Sequence, residues 1–337
     1  MRVVSEGVAR ELPALWYDQG VLHLIDQRRL PLHLEIVQAG DLEAVCTAIR
    51  DMTVRGAPAI GAAAAFGMAQ AQLRRDDLGH AAARLRATRP TAFDLFDAIA
   101  AMEAAAAVGQ DLAVAAAAYV ARTVDRCRRI GEHGAALLTE GSRVLTHCNA
   151  GALATVDWGT ALAPLRVAHR AGRRLFVYAD ETRPRLQGAR LTVWELLNEG
   201  IPHALIADNA AGLYLRRREV DLVIVGADRI VANGDVANKI GTYEKAVVAA
   251  ANGVPFYVAA PASTFDSSLP HGDSIPIEER DASEVTHLEG VQVAPFGTSV
   301  RNPAFDVTPH QLVSGYITEH GIFAPGDLGR LQQLSAR

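Results

Sequence analysis

Residues 221–243 read DLVIVGADRIVANGDVANKIGTY. The run at 222–225 is apolar and β-branched, the composition of a parallel strand buried on both faces. It breaks at Gly226 and delivers Asp228 and Arg229 at its carboxyl end. Asn233-Gly234 is a turn signal, and Asp235 suits the N-cap of a helix carrying Asn238, Lys239 and Tyr243 in its first turns. Strand, acidic residue, turn and helix start form the unit from which open α/β sheets build sites for anionic ligands.

The same order recurs on either side. Strands are predicted at 143–147, 174–179, 203–207, 222–226 and 255–259, with helices near 153–171, 188–199, 209–217 and 236–252. Such alternation predicts an α/β fold with a Rossmann-like, mainly parallel, doubly wound sheet. Ligands of these sheets bind beyond the carboxyl ends of the strands. The residues expected there are Cys148-Asn149, Asp180 to Arg183, Asp208-Asn209, Asp228-Arg229 and Pro261 to Ser263. Before the sheet, residues 1 to about 40 alternate in short apolar segments (21–25 and 32–37) and predict a small antiparallel sheet. Long Ala-, Leu- and Arg-rich runs follow at 41–51, 58–74, 92–107 and 111–139, with a break at Arg89-Pro90-Thr91. The expected division is therefore a mostly helical N-terminal domain over 1–140 and a Rossmann-like domain over 141–337. The Pro-rich segment from about 264 onward closes the second domain against the sheet edge.

Composition narrows the function. Of the 33 basic residues only two are lysines, Lys239 and Lys245, both in or just after the quoted stretch. A compact ammonium is not interchangeable with a planar guanidinium, although chance placement on a solvated face gives the same count. The net charge of −5 without a basic tract argues against nucleic acid. The three cysteines form neither a metal spacing nor an even disulfide set, which suits a reducing compartment. The first residues lack a signal-peptide core and no apolar run reaches spanning length, so the expected protein is cytoplasmic and makes no membrane contact.

Several groups carry chemistry. Cys148 ends a strand in THCNAG, and a thiol at a strand-to-helix loop serves as acid, base or nucleophile when local dipoles favour the thiolate. Cys46 and Cys127 fall within helical patterns and read as small buried hydrophobes. Asp228 leaves an apolar strand, where desolvation suits a general acid or base; a cap or a partner for Arg229 is the plainer use. Arg55-Gly56-Ala57-Pro58 resembles an anion clamp at a helix start, and Arg89 offers a second guanidinium. His147 and His203 read as structural, and no pattern predicts a metal or a nucleotide cofactor.

Taken together, RGAPAIG at 55–61, RPTAFDL at 89–95, THCNAG at 146–151, DETRPRLQGARLTVWEL at 180–196, GADRI at 226–230, NKIGTY at 238–243 and NPAFDVTP at 302–309 resemble the methylthioribose-1-phosphate isomerase family. Its wider relatives include isomerases of ribose 1,5-bisphosphate and 5-deoxyribose 1-phosphate, and regulatory subunits of a translation initiation factor. The resemblance implies cofactor-free conversion of 5-methylthioribose 1-phosphate to 5-methylthioribulose 1-phosphate in methionine salvage, by a homodimer. It makes Cys148 and Asp228 the catalytic pair. It places Arg55, Gly56, Ala57, Arg89, Gln187, Asn238 and Lys239 on the substrate. Hydrogen then moves from C2 to C1 either as a proton, through an enolate near Cys148, or as a hydride. Asp94 departs from the family, whose members often carry Asn there. A carboxylate facing the ligand would disfavour a second phosphate, whereas one facing solvent or capping a helix has no consequence; the second is the expectation.

Overall fold

The computed structural model describes residues 1–5, 7–89 and 93–335. Pro90, Thr91 and Ala92, on which the expected helix break and the first residue of the 92–107 helix fall, lie outside the described residues.

The chain opens with a hairpin of β1 (Arg2–Ser5) and β2 (Val8–Glu11), then a three-stranded antiparallel sheet of β3 (Leu15–Asp18), β4 (Val21–Ile25) and β5 (Ile36–Ala39). The strand expected at 32–37 begins only at Ile36, because residues 27–32 form turns and leave Leu32 in solvent. Five helices follow: α1 (Leu42–Arg50), α2 (Ala57–Arg74), α3 (Leu78–Arg86), α4 (Phe93–Ala107) and α5 (Leu112–Gly134). The helix α3 was not expected; its strongest signal is Asp77, whose side chain accepts from the His80 N–H at 2.6 Å as an N-cap. Helix α2 is the axis of this half, buried without interruption from Ala59 to Ala71 and packed against α4 and α5. Its alanines lose no side-chain entropy in a helix and let neighbouring backbones approach closely.

Strand and helix then alternate: β6 (Arg143–Thr146), α6 (Ala152–Thr155), α7 (Leu162–Arg170), β7 (Phe176–Asp180), α8 (Val193–Glu199), β8 (His203–Ile206), α9 (Ala211–Arg216) and β9 (Leu222–Val225). The chain continues through β10 (Arg229–Val231), β11 (Val236–Lys239), α10 (Thr242–Ala251) and β12 (Phe256–Ala259). The tail contributes β13 (Phe265–Asp266), β14 (His287–Leu288), β15 (Val291–Gln292), β16 (Phe305–Thr308), β17 (Gly315–Thr318) and β18 (Gly321–Phe323). The main sheet has seven strands in the order β18-β17-β12-β9-β6-β7-β8, all parallel except β18 at one edge. All four β9 residues are buried, as the apolar run requires. Each large apolar side chain so buried contributes about 1.5–3 kcal/mol. The chain moves from β6 to β7 and β8 on one side and to β9, β12 and β17 on the other. The topological switch point therefore lies between β6 and β9.

Two helices differ from expectation. The run 153–171 splits into α6 and α7, with Val156 and Trp158 at φ of 80° and 65° in the break. The helix expected at 236–252 begins only at Thr242, and Asp235 is not its N-cap. Residues 229–239 instead form an antiparallel hairpin, turned at Gly234 with φ of 92° and extended by β16 into a second, four-stranded sheet. Val236 gains a buried place in that sheet, and Asp235 accepts from the backbone N–H of His310 at 3.0 Å and of Gly272 at 3.1 Å.

The helical half rests on the sheet half through α5, which packs against α7 and β17. Ile130, Ala135 and Leu138 join the core beneath the sheet.

Candidate active site

The loop after β6 sits at the switch point. Thr146 Oγ1 donates to the Ile224 carbonyl at 2.8 Å and ties β6 to β9. Cys148 then takes φ of 64°, the left-handed region that side chains rarely adopt. Two hydroxyls hold it there: its N–H donates to Thr182 Oγ1 at 2.9 Å, and Thr192 Oγ1 donates to its carbonyl at 2.6 Å. Backbone strain that neighbours over-determine is characteristic of functional positions.

Asn149 organises the next layer. Its amide donates to buried Glu195 at 2.9 Å, while Glu195 also accepts the Ala152 N–H at 2.7 Å and so caps α6. Arg55 meets the other side of Asn149, donating to Oδ1 at 2.9 Å and to the carbonyl at 2.7 Å. Gly56 follows as the N-cap of α2 at φ of 92°, with Pro58 in the first turn and no acidic residue there. A Cβ on Gly56 would lie 2.5 Å from the Ala154 backbone, so only glycine lets α2 begin against this loop. The α2 amino end faces the cavity through Gly56, Ala57 and Pro58. Free N–H groups and the helix dipole there favour an anion.

Asp228 enters from the end of β9, fixed by its N–H to the Ala237 carbonyl at 2.9 Å. Its carboxyl is open to the cavity but enclosed by protein beyond it. Desolvation pushes its pKa up, against the opposing pull of Lys239, Arg55, Arg280 and Arg89. Lys239 is brought down to about 8, chiefly by burial; Cys148 and Asp228 act the other way. Its ammonium donates to the Ala304 carbonyl at 2.8 Å and stands 4.2 Å from the Phe305 ring centroid. Asn238 is steadied by its amide's bond to Thr242 Oγ1 at 3.0 Å.

The structure brings Cys148, Asp228, Arg55, Gly56, Ala57, Arg89, Gln187, Asn238 and Lys239 onto the wall of one cavity. Gln187 is buried and, among the described residues, its Oε1 has no hydrogen-bond partner. The wall also holds charged and aromatic residues that were not expected there. Arg280 (ion-paired with Glu278 at 3.1 Å) and Phe305 come from the tail, where no periodic pattern marked them; Arg185 pairs with Glu284 at 2.7 Å. Asp94 corrects the expectation of a solvent-facing or capping carboxylate: it is buried and lines the cavity. An annex continues past Arg89 and Asp228, walled by Ile60, Phe93, Ile275, Pro276, Ile277 and Phe305. Arg229, also on its wall, is paired with Asp266 at 3.4 Å.

Behind Cys148, His147 Nδ1 lies 2.9 Å from Asp180 Oδ2 and Nε2 lies 2.8 Å from the Ile240 carbonyl. The carbonyl only accepts, so Nε2 donates and the ring braces the NKIG segment against β7. His147, Asp180 and Asp208 are close enough to share a metal ion. Lys245, however, reaches into the same cluster, 3.5 Å from Asp180 Oδ2 and donating to the Asp208 carbonyl at 2.8 Å. An ammonium there competes with any cation.

Residues 53–325 match the model of the initiation factor 2 subunit family. A protein of Chloroflexus aurantiacus named methylthioribose-1-phosphate isomerase is 52% identical over 344 residues, spanning 97% of this chain and 99% of its own. The Geobacter metallireducens protein of the same name is 51% identical over 95% of this chain and 97% of its own. Among solved structures, 5-methylthioribose 1-phosphate isomerase from Pyrococcus horikoshii superposes with a TM-score of 0.90 at 42% identity, over 96% of this chain and 97% of that one. A structure described as the delta subunit of translation initiation factor eIF-2B from A. fulgidus gives 0.86 at 42% identity, over 96% of this chain and all of the other. With the fold, the switch-point cavity and these near full-length relationships in agreement, the chain belongs to the initiation factor 2 subunit family and, within it, to the methylthioribose-1-phosphate isomerases.

Proposed function

We propose that the protein converts 5-methylthioribose 1-phosphate to 5-methylthioribulose 1-phosphate in methionine salvage, with Cys148 and Asp228 as its catalytic pair. The observation that carries this reading is the meeting of Cys148 and Asp228 at the switch point, in a cavity walled by Arg55, Arg89, Arg280 and Lys239.

The chemistry follows from the substrate. Its anomeric oxygen is esterified, so the ring opens only by breaking the bond between C1 and the ring oxygen. That oxygen must gain a proton, the hydrogen on C2 must reach C1, and the 2-hydroxyl must lose its proton as C2 becomes a carbonyl. Asp228 supplies the first proton; it faces the cavity, and desolvation by the protein around it shifts its pKa toward the acid form. A phosphate dianion among the four cations strengthens this. It offsets the charges that pull the Asp228 pKa down, and the carboxyl holds its proton more firmly in the complex. Arg55, Arg89, Lys239 and the amino end of α2, with Gly56 and Ala57, hold the phosphate; Gln187 and Asn238 meet hydroxyls.

The annex favours the methylthio substituent. Its Ile, Phe and Pro walls accept a thioether, and of its two cations Arg229 is paired with Asp266 while Arg89 is taken by the 1-phosphate in this reading. The reading extends to a homodimer in the cytoplasm, with residues 1–140 as a unit that closes over 141–337. The test is a comparison of kcat/KM on methylthioribose 1-phosphate, 5-deoxyribose 1-phosphate and ribose 1,5-bisphosphate, without added metal or nucleotide. Preference for the first supports the reading. Preference for the bisphosphate removes the substrate but keeps the site, and turnover of none removes both.

A further inference from the structure

Asp94 is the one cavity carboxylate to which the proposed chemistry gives no task. It lies in the first turn of α4, is 6% exposed, and shares the cavity wall with Cys148 and Asp228. Its backbone packs directly on α2: a Cβ on Gly61 would come within 2.7 Å of the Asp94 carbonyl oxygen, so the two helices touch there. Among the described residues no donor reaches its side chain. The groups that face it are Asp97 from its own helix, Tyr119, Arg126 and Cys127 from α5, and Asp228 from the loop after β9. Tyr119 donates instead to Asp97 at 3.2 Å, and Arg126 pairs instead with Glu319 at 3.5 Å. Burial first, then Asp97 and Asp228, push the Asp94 pKa up to about 7. A carboxyl enclosed this far, with no donor among the described residues and facing the cavity, is suited to a hydrogen-bond donor that enters the cavity.

We propose that Asp94 accepts a hydrogen bond from a ring hydroxyl of the sugar phosphate and sets the ring against Asp228 and Cys148. The inference rests on the sugar-phosphate reading of this cavity. A sugar ring brings hydroxyl donors into the cavity that Asp94 faces. The contact strengthens when Asp94 is ionised, because a carboxylate is a stronger acceptor than a carboxylic acid. The charge of ionised Asp94 also helps the neighbouring Asp228 keep its proton.

The test compares wild type, Asp94→Ala and Asp94→Asn on methylthioribose 1-phosphate from pH 6 to pH 8, with thermal melts of each. Asp94→Ala is expected to raise KM about 10- to 100-fold, the range for a hydrogen bond to a charged group. Asp94→Asn keeps an acceptor of the same shape but cannot ionise. The ratio of wild-type to Asn kcat/KM is therefore expected to rise several-fold between pH 6 and pH 8, and taking the ratio cancels the titration of phosphate and of Lys239. The Asn variant is also expected to melt no lower than wild type at pH 8, where the ionised buried carboxyl opposes folding. Asp94→Ala with KM and kcat within twofold of wild type overturns the proposal. So does a flat ratio, whether or not the Ala variant folds, and a flat ratio with a lowered melt marks Asp94 as a structural group. A wild type that turns over none of this sugar removes the substrate reading itself, a different pattern from an active wild type indifferent to Asp94.

Discussion

Arg55 holds Asn149 with two bonds, one to its side-chain oxygen at 2.9 Å and one to its carbonyl at 2.7 Å. This contact joins the amino end of α2 to the loop that presents Cys148. Asn149 also supplies a donor to buried Glu195, whose pKa burial raises and whose carboxylate Asn149 helps to hold charged. Asn149→Ala is expected to loosen Arg55 and leave Glu195 short of a donor. Stability at neutral pH should fall by roughly 1–3 kcal/mol in urea unfolding, with KM rising more than kcat falls. Unchanged KM would separate Arg55 from phosphate binding.

Lys239 gives the pH dependence a definite sign. Its pKa in the folded chain is lowered to about 8 from 10.5, first by burial. The ammonium is present below that value and lost above it, so kcat/KM is expected to fall with an alkaline limb near pH 8, the profile of the free protein. Lys239→Arg stays charged and should lose the limb, at reduced activity because a planar fork replaces a point charge. The folded chain binds fewer protons than the unfolded chain between about pH 8 and 10.5, so this group makes stability rise with pH across that window. A Lys239→Met variant should lack that rise in denaturant titrations.

Gly56 tests whether the start of α2 is as constrained as it looks. Alanine there meets both a left-handed φ of 92° and the Ala154 backbone at 2.5 Å. Gly56→Ala is expected to destabilise by roughly 2–4 kcal/mol and to raise KM, since the helix start must retreat from the cavity. A variant with wild-type unfolding midpoint and KM would show that α2 can shift without consequence.

The sequence made the switch point legible because its signals are local. An apolar run ending in Gly226-Ala227-Asp228 marks a buried strand and its exit, and Arg-Gly-Ala-Pro marks a helix start. The hairpin at 229–239 departs from the expected helix for a physical reason. Asn233-Gly234-Asp235 serves equally as a hairpin turn or a helix N-cap, and the choice is made by β16, where Val236 pairs with Thr308. No window around residue 235 contains that partner. Arg280 carries no local signal and Phe305 only its place in NPAFDVTP, since the irregular tail reaches the cavity only through long-range pairing. Asp94 looked like a capping residue from its place near a helix start, and only the packing of α2 and α5 around α4 turns it inward.

The central claim is that Cys148 and Asp228 perform the isomerisation, and not merely that they line a binding site. The most direct measurement is turnover of methylthioribose 1-phosphate by wild type, Cys148→Ser and Asp228→Asn, with substrate affinity measured by calorimetry on the same samples. The account predicts that each substitution lowers kcat by a factor of roughly 10²–10⁴, the usual contribution of a positioned proton-transfer group, while Kd stays within a few-fold of wild type. A variant of either residue with wild-type kcat, or one whose lost activity is matched by an equal loss of affinity, would contradict it.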